Sequence, residues 1–127
     1  MLYKLLEAQR KFLEIPHNHK LDVAVYQGGF GSGKTFAGSL LGILLSLKFP
    51  GIRGLVGAQT YTLVRDTTLQ SYFEHFENMG FIDGKDYVWS SSLQKITFKN
   101  KSEILFRHFD EPNKLKSLNL GFVEIEE

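Results

Sequence analysis

The chain has no cysteine. This excludes a disulfide framework and any thiolate-held metal site. No apolar run is long enough to cross a bilayer, and the first residues, Met-Leu-Tyr-Lys-Leu-Leu-Glu, lack the apolar stretch of a secretory leader. The expectation is a cytoplasmic protein with no membrane partner. An excess of one charge sign is also missing. Fifteen Lys and Arg face 14 Asp and Glu, for a formal net charge of +1, so composition neither demands nor excludes a nucleic-acid partner. Four histidines are scattered. His17 and His19 flank Asn18 with no further ligands near them, which reads as solvated loop rather than metal site. What is present suffices for one domain with a real core: 127 residues, 43% of them hydrophobic.

The most informative stretch is Gly28 to Thr35, Gly-Gly-Phe-Gly-Ser-Gly-Lys-Thr. It satisfies G-x-x-x-x-G-K-[ST], the phosphate-binding P-loop. Gly28, Gly29, Gly31 and Gly33 allow backbone angles that turn successive amides inward as a nest for phosphate oxygens. Phe30 and Ser32 complete the loop. Lys34 carries a mobile ammonium toward the β- and γ-phosphates, and Thr35 offers a hydroxyl to Mg²⁺. A helix starting near Lys34 aims its positive end at the same anion. A chance match in a chain of this size has a probability on the order of one percent. The implied cofactors are ATP and Mg²⁺.

Around that loop the chain reads as alternating elements. Leu2, Leu5, Leu6, Gln9, Phe12 and Leu13 recur at helical spacing, and Pro16 ends the run. Gln9 has two readings: an ordinary packing-helix residue, or an amide that donates to and accepts from adenine. Leu21 to Tyr26 is the strand that delivers the P-loop. Thr35 to Leu47, apolar nearly all round, is a helix expected to be largely buried. Phe49-Pro50-Gly51 stops it, and Ile52 to Ala58 is a second strand, making a βαβ unit with parallel strands. Thr60 to Met79 is a helix with Leu69, Tyr72, Phe73 and Phe76 on one side and Gly80 at its end. Tyr87 to Ser90, Lys95 to Phe98 and Glu103 to Arg107 are short strands, the last two joined as a hairpin through Lys99 to Ser102. The hairpin lysines suit either solvent or DNA phosphate. Asn113 to Ser117 is a helical turn.

Leu120 to Ile125 is a last strand, ending in Glu126 and Glu127. An apolar strand that terminates in two acids after a P-loop is the pattern of a Walker B segment. The first acid serves the Mg²⁺ shell and the second polarises the attacking water. Glu124 jars, because it is a charge inside an otherwise apolar strand.

Together the blocks 27–35, 64–71, 103–117 and 122–127 resemble the large subunit of the tailed-bacteriophage DNA-packaging terminase. The resemblance runs from about Gln9 to Glu127, and 103–117 is its most telling part. It implies an α/β fold, a P-loop NTPase with a mostly parallel central sheet flanked by helices and an added β-hairpin, and with a further strand between the Walker A and Walker B strands. It implies that Glu126 is the Walker B acid and Glu127 the catalytic glutamate, with Lys34 also serving catalysis. Many members carry an arginine where Phe30 stands. The duty of stabilising transition-state charge then falls elsewhere, with Arg65 or a neighbouring subunit as candidates.

The resemblance further implies double-stranded viral DNA, a terminase small subunit and a portal protein as partners, homo-oligomerisation in the motor, and action in the cytoplasm of a bacterial host. It reads residues 1–127 as the N-terminal part of an ATPase domain, with the rest of that domain and a nuclease expected beyond Glu127. On that reading the 127-residue piece alone is expected to turn over little ATP. Two alternatives share these residues: a helicase-like P-loop ATPase, against which 103–117 argues, and a nucleotide-binding remnant without turnover.

Overall fold

The computed structural model describes residues 33–108 and 120–125. Helix α1, Lys34–Lys48, follows Gly33 directly. Strand β1, Arg53–Ala58, comes next. The segment from 61 to 79 is one continuous helical rod in three parts: α2, Tyr61–Leu63; a π-helical turn, Val64–Thr68; and α3, Leu69–Met79. Strands β2, Tyr87–Ser90, β3, Lys95–Phe98, β4, Glu103–His108, and β5, Phe122–Ile125, complete the set. The expected strand Leu21 to Tyr26, the helix holding Gln9 and the turn 113–117 lie outside the described residues. So does the Walker A strand of the expected order.

The strands form one five-stranded sheet in the order β2-β3-β4-β1-β5. β1 pairs in parallel with both β4 and β5, while β2/β3 and β3/β4 are antiparallel. The fold is thus α/β with a parallel core and an antiparallel extension, as the sequence predicts. Register sets the faces. Val56 stands opposite Phe106 and Glu124, and Gly54 opposite Ile104 and Phe122. Ile96 stands opposite Ile104 on the same face. This is the face that α1 and α3 cover. Ile43, Leu69, Tyr72 and Phe76 pack there on Val56, Ile96, Phe98, Ile104 and Phe106. Burying side chains of this size stabilises by about 1.5–3 kcal/mol each.

Local signals explain the boundaries. The Thr60 hydroxyl accepts from the Leu63 amide as an N-cap. Gly80 ends α3 at φ 75°, a conformation costly for residues with a Cβ. The π turn carries Thr67, whose hydroxyl donates back to the Leu63 carbonyl, the kind of bond that bends helices. One expectation is corrected. α1 is not apolar-buried all round: Ala37, Leu40 and Ile43 are buried, but Leu44 and Leu47 are 42% exposed. Its buried stripe instead includes Ser39, Gly42 and Ser46, small residues that admit close neighbours.

The β3–β4 turn is anchored rather than free. The Asn100 side-chain amide and the Ser102 hydroxyl both donate to the Ser46 carbonyl, each at 2.8 Å. They satisfy acceptors that the end of α1 leaves open. Lys99 and Lys101 are exposed there, at the end of α1 opposite to Lys34.

Candidate functional site

In a sheet with parallel strands, ligands sit beyond the carboxyl ends of the strands. β1, β4 and β5 direct Ala58, His108 and Ile125 to one such end. The start of α1 supplies the chemistry there. Gly33 takes the left-handed conformation, φ 79° and ψ 17°, and has no side chain with which to cap the helix. No acidic residue lies in the first turn, so the positive end of the dipole is not neutralised from within. Lys34 opens the helix, and Thr35 follows it in the first turn.

That first turn is fastened to α3 by polar contacts. The Ser39 hydroxyl donates to the Thr35 carbonyl at 2.8 Å and lies 2.6 Å from the Ser71 hydroxyl. His75 Nε2 is 2.9 Å from the Phe36 carbonyl oxygen, and its ring lies against Phe36. A carbonyl only accepts, so Nε2 carries the proton. Burial lowers the His75 pKa below its ordinary value, against opposing pulls from the Phe36 carbonyl and Glu74.

One and two turns further along α1, two glycines form notches. A Cβ on Gly38 would lie 2.6 Å from Glu124 Oε2, and one on Gly42 would lie 2.1 Å from the Tyr72 hydroxyl oxygen. At Gly42 a side chain would collide with the buried Tyr72 ring, and at Gly38 the Glu124 carboxylate would have to move aside. In that space Tyr72 donates its hydroxyl to Glu124 Oε1 at 2.8 Å. Tyr72 is fully buried. Burial, reinforced by the adjoining Glu124 carboxylate, pushes its pKa well above the ordinary phenol value, so it remains a donor. Glu124, which looked misplaced in its strand, therefore has its place on the helix-covered face of β5. Two sequence signals could have pointed to it: an isolated charge in a strand, and the Gly38/Gly42 spacing, since glycine is costly inside a helix without a packing reason.

Arg65 sits on the π turn, more than half exposed, with Nε 2.8 Å from Asp66 Oδ1. The Asp66 hydrogen bond and charge raise its pKa further. Among the described residues nothing joins Arg65 to the start of α1. Arg107, unremarked in the sequence, is half-buried and donates from Nη1 to the Gln94 and Phe106 carbonyls. Of the expected site residues, Gly33 and Thr35 are brought to the start of α1. Gln9, Gly28, Gly29, Phe30, Gly31, Ser32, Glu126 and Glu127 lie outside the described residues.

Known proteins share this fold. The family described as phage terminase large subunit matches residues 20–127. The chain belongs to that family. It is 35% identical over 101 residues to the PBSX phage terminase large subunit of Bacillus subtilis (strain 168), covering 79% of this chain and 23% of that protein. Three solved structures share the fold. The large terminase of a thermophilic bacteriophage superposes with a TM-score of 0.81 at 15% identity, over 98% of this chain and 32% of that one. The ATPase domain of the Thermus phage P74-26 large terminase gives 0.69 at 19% identity, over 97% and 53%. A thermophilic bacteriophage large terminase in complex with ADP gives 0.68 at 20% identity, over 95% and 31%. This terminase chain thus spans about a quarter of the curated relative's length.

Proposed function

We propose that the chain forms the nucleotide-binding part of a packaging ATPase that uses ATP to drive viral double-stranded DNA into a procapsid. The observation that carries the proposal is the register between α1 and β5. Glu124 abuts Gly38 on the helix-covered face. Side chains alternate along a strand with a repeat of about 6.8 Å, so from the sequence we expect the acid two positions beyond Glu124 on the same face. From Gly38 back to Lys34 a helix rises about 6 Å. The two steps run in the same direction, toward the carboxyl end of the sheet. This supports Glu126 as the acid level with Lys34 and Thr35. The ADP complex of the thermophilic bacteriophage enzyme supports a nucleotide as the ligand.

On this reading the amides of Gly28, Gly29, Phe30, Gly31, Ser32 and Gly33 cradle the phosphates. Lys34 neutralises the β- and γ-oxygens as charge develops on them. The Thr35 hydroxyl and Glu126 carboxylate are hard oxygen donors that suit Mg²⁺ and would hold it together with the phosphates. When bound, the ion screens the charge on the transferring phosphoryl group. Glu127 takes the proton of the attacking water. Gln9 is the candidate for adenine. Viral DNA, the small subunit, the portal and further copies of the motor protein are the partners proposed by family membership, in the host cytoplasm.

The test is nucleotide affinity of the Lys34→Ala protein, read by calorimetry. We expect at least a tenfold loss of ATP binding, because the ammonium facing the phosphates is removed. Unchanged affinity and unchanged turnover would reject the site.

A further inference from the structure

We propose that Glu124 and Tyr72 form a positioning pair that sets the height of the Walker B strand against the first turns of α1. The inference rests on the reading of the nucleotide site given above, and deepens it. Its substance is steric and polar. The Glu124 carboxylate is held between two surfaces, with Oε1 bonded to the Tyr72 hydroxyl and Oε2 against the backbone of α1 at Gly38. The Tyr72 hydroxyl is itself seated in the Gly42 notch. One rigid stack therefore joins three elements: α3 through Tyr72, α1 through Gly38 and Gly42, and β5 through Glu124. α1 and α3 are also pinned together through Ser39 with Ser71 and through His75 with the Phe36 carbonyl. β5 is tied to α3 through the Tyr72–Glu124 bond.

Sliding β5 by one residue would turn its alternate face toward the helices. Smaller shifts are resisted by packing and by this bond. Apolar contact is non-directional, whereas a hydrogen bond to a carboxylate has a narrow range of length and angle. The pair thus fixes the height of Glu124 on β5 against α1, and through it the strand that leads into the expected Walker B acids. The same stack connects β5 to the helical rod whose π turn carries Arg65 and Asp66. Neither Glu124 nor Tyr72 touches nucleotide; both act through Thr35 and Glu126.

A positioning role separates from a merely structural one by metal dependence. The experiment uses the longest natural polypeptide that contains this chain. It measures affinity for a fluorescent non-hydrolysable ATP analogue in MgCl₂ and in EDTA. The Tyr72→Phe protein keeps the ring and loses the bond. We expect the gain in affinity brought by Mg²⁺ to fall about tenfold, the scale of one hydrogen bond to a charged group, with affinity in EDTA unchanged. Glu124→Gln keeps an acceptor of the same shape, so it should retain most of the gain, whereas Glu124→Ala should lose it. Parallel losses in MgCl₂ and EDTA, or a full Mg²⁺ gain in both Tyr72→Phe and Glu124→Ala, would overturn the pair as a positioning device. Failure of the unmodified protein to bind the analogue in either buffer would instead overturn the nucleotide site itself, and the pair with it.

Discussion

Around β2 and β3 the helices meet the sheet through rings; between α1, α3 and β5 the links are polar, and the Tyr72–Glu124 bond is seated against the glycines of α1. In the first region Phe76 stacks on Tyr87 at 4.1 Å between centroids and meets Phe98 edge-on at 5.8 Å. Phe73 and Trp89 meet at 5.5 Å, and Trp89 reaches Phe106. In the second, Ser39, Ser71, His75, Tyr72 and Glu124 make the links between α1, α3 and β5. The two kinds of contact do different work. Apolar burial is large in energy and tolerant in geometry, since volume-conserving swaps cost little. Buried polar contacts are modest in net energy but demand position. The ring contacts therefore add burial energy that tolerates small shifts, and the polar contacts between α1, α3 and β5 hold the alignment of the site.

The largest expected effect falls on the aromatic side. Phe76 is 1% exposed. Phe76→Ala should cost about 3–5 kcal/mol by denaturant unfolding, from lost transfer energy plus the cavity left behind. Nucleotide affinity per folded molecule should be unaltered. A large affinity loss at temperatures where the variant remains folded would erase the division between the halves.

Gly42→Ala comes next and strikes the polar side. The new Cβ would stand 2.1 Å from the Tyr72 hydroxyl oxygen and 3.1 Å from its Cζ. Tyr72 is fully buried and cannot swing away, so overpacking of about 1–3 kcal/mol is expected, partly offset by the better helix propensity of alanine. The displaced hydroxyl leaves Glu124. Unlike Phe76→Ala, this change should also reduce Mg²⁺-dependent nucleotide affinity. A stable variant with normal metal dependence would show that Tyr72 does not set the strand.

His75 gives a smaller effect with a defined sign. Its folded pKa lies below the ordinary value of 6.5, so the unfolded chain binds the proton first as pH falls. Its contribution to stability is complete above about pH 6.5 and is lost as pH falls through the folded pKa. Unfolding experiments at about pH 7.5 and about pH 5.5 should show the unmodified protein losing more stability than His75→Gln over that interval. An equal loss in both would mean that other groups carry the pH response.

Periodicity made much of the fold legible. The strands at 87–90 and 95–98 and the ring-bearing face of α3 are all local patterns of spacing, and Gly80 marks its helix end by a local backbone need. The order of the sheet is not local. It depends on which strand β1 accepts on each side, and it entered the sequence reading only in outline, through family resemblance. The start of α1 was legible because the P-loop concentrates its chemistry in consecutive residues. The Glu124–Tyr72 pair was not, since its members stand 52 positions apart. Each looked like something else alone: a misfit charge, and one more aromatic on a packing face. The π turn was equally hidden, because its residues are ordinary helix or turn formers and the extra residue per turn has no local marker.

The smallest expected effect on stability concerns Arg65, and it tests whether the polar side extends to the helical rod's outer surface. Arg65 and Asp66 are adjacent, and their side chains are 54% and 55% exposed. Water screens such a pair, and exposed ion pairs contribute little to stability. Arg65→Ala should therefore leave the unfolding midpoint unchanged. Its functional effect depends on the reaction stage. An arginine that stabilises charge only as the phosphoryl group transfers adds nothing to ground-state binding, so affinity for the non-hydrolysable analogue should also be unchanged. Turnover in the longest natural polypeptide is where a loss belongs. A transition-state arginine is worth about 10³-fold or more in rate at phosphoryl-transfer sites. Arg65→Lys keeps the charge but not the planar fork, and should restore little. Unchanged turnover in Arg65→Ala would leave the Arg65–Asp66 pair as solvated surface and move the search for that arginine to a neighbouring subunit. A fall in analogue affinity instead would place Arg65 in ground-state binding, and the π turn would then join the start of α1 as part of the nucleotide pocket.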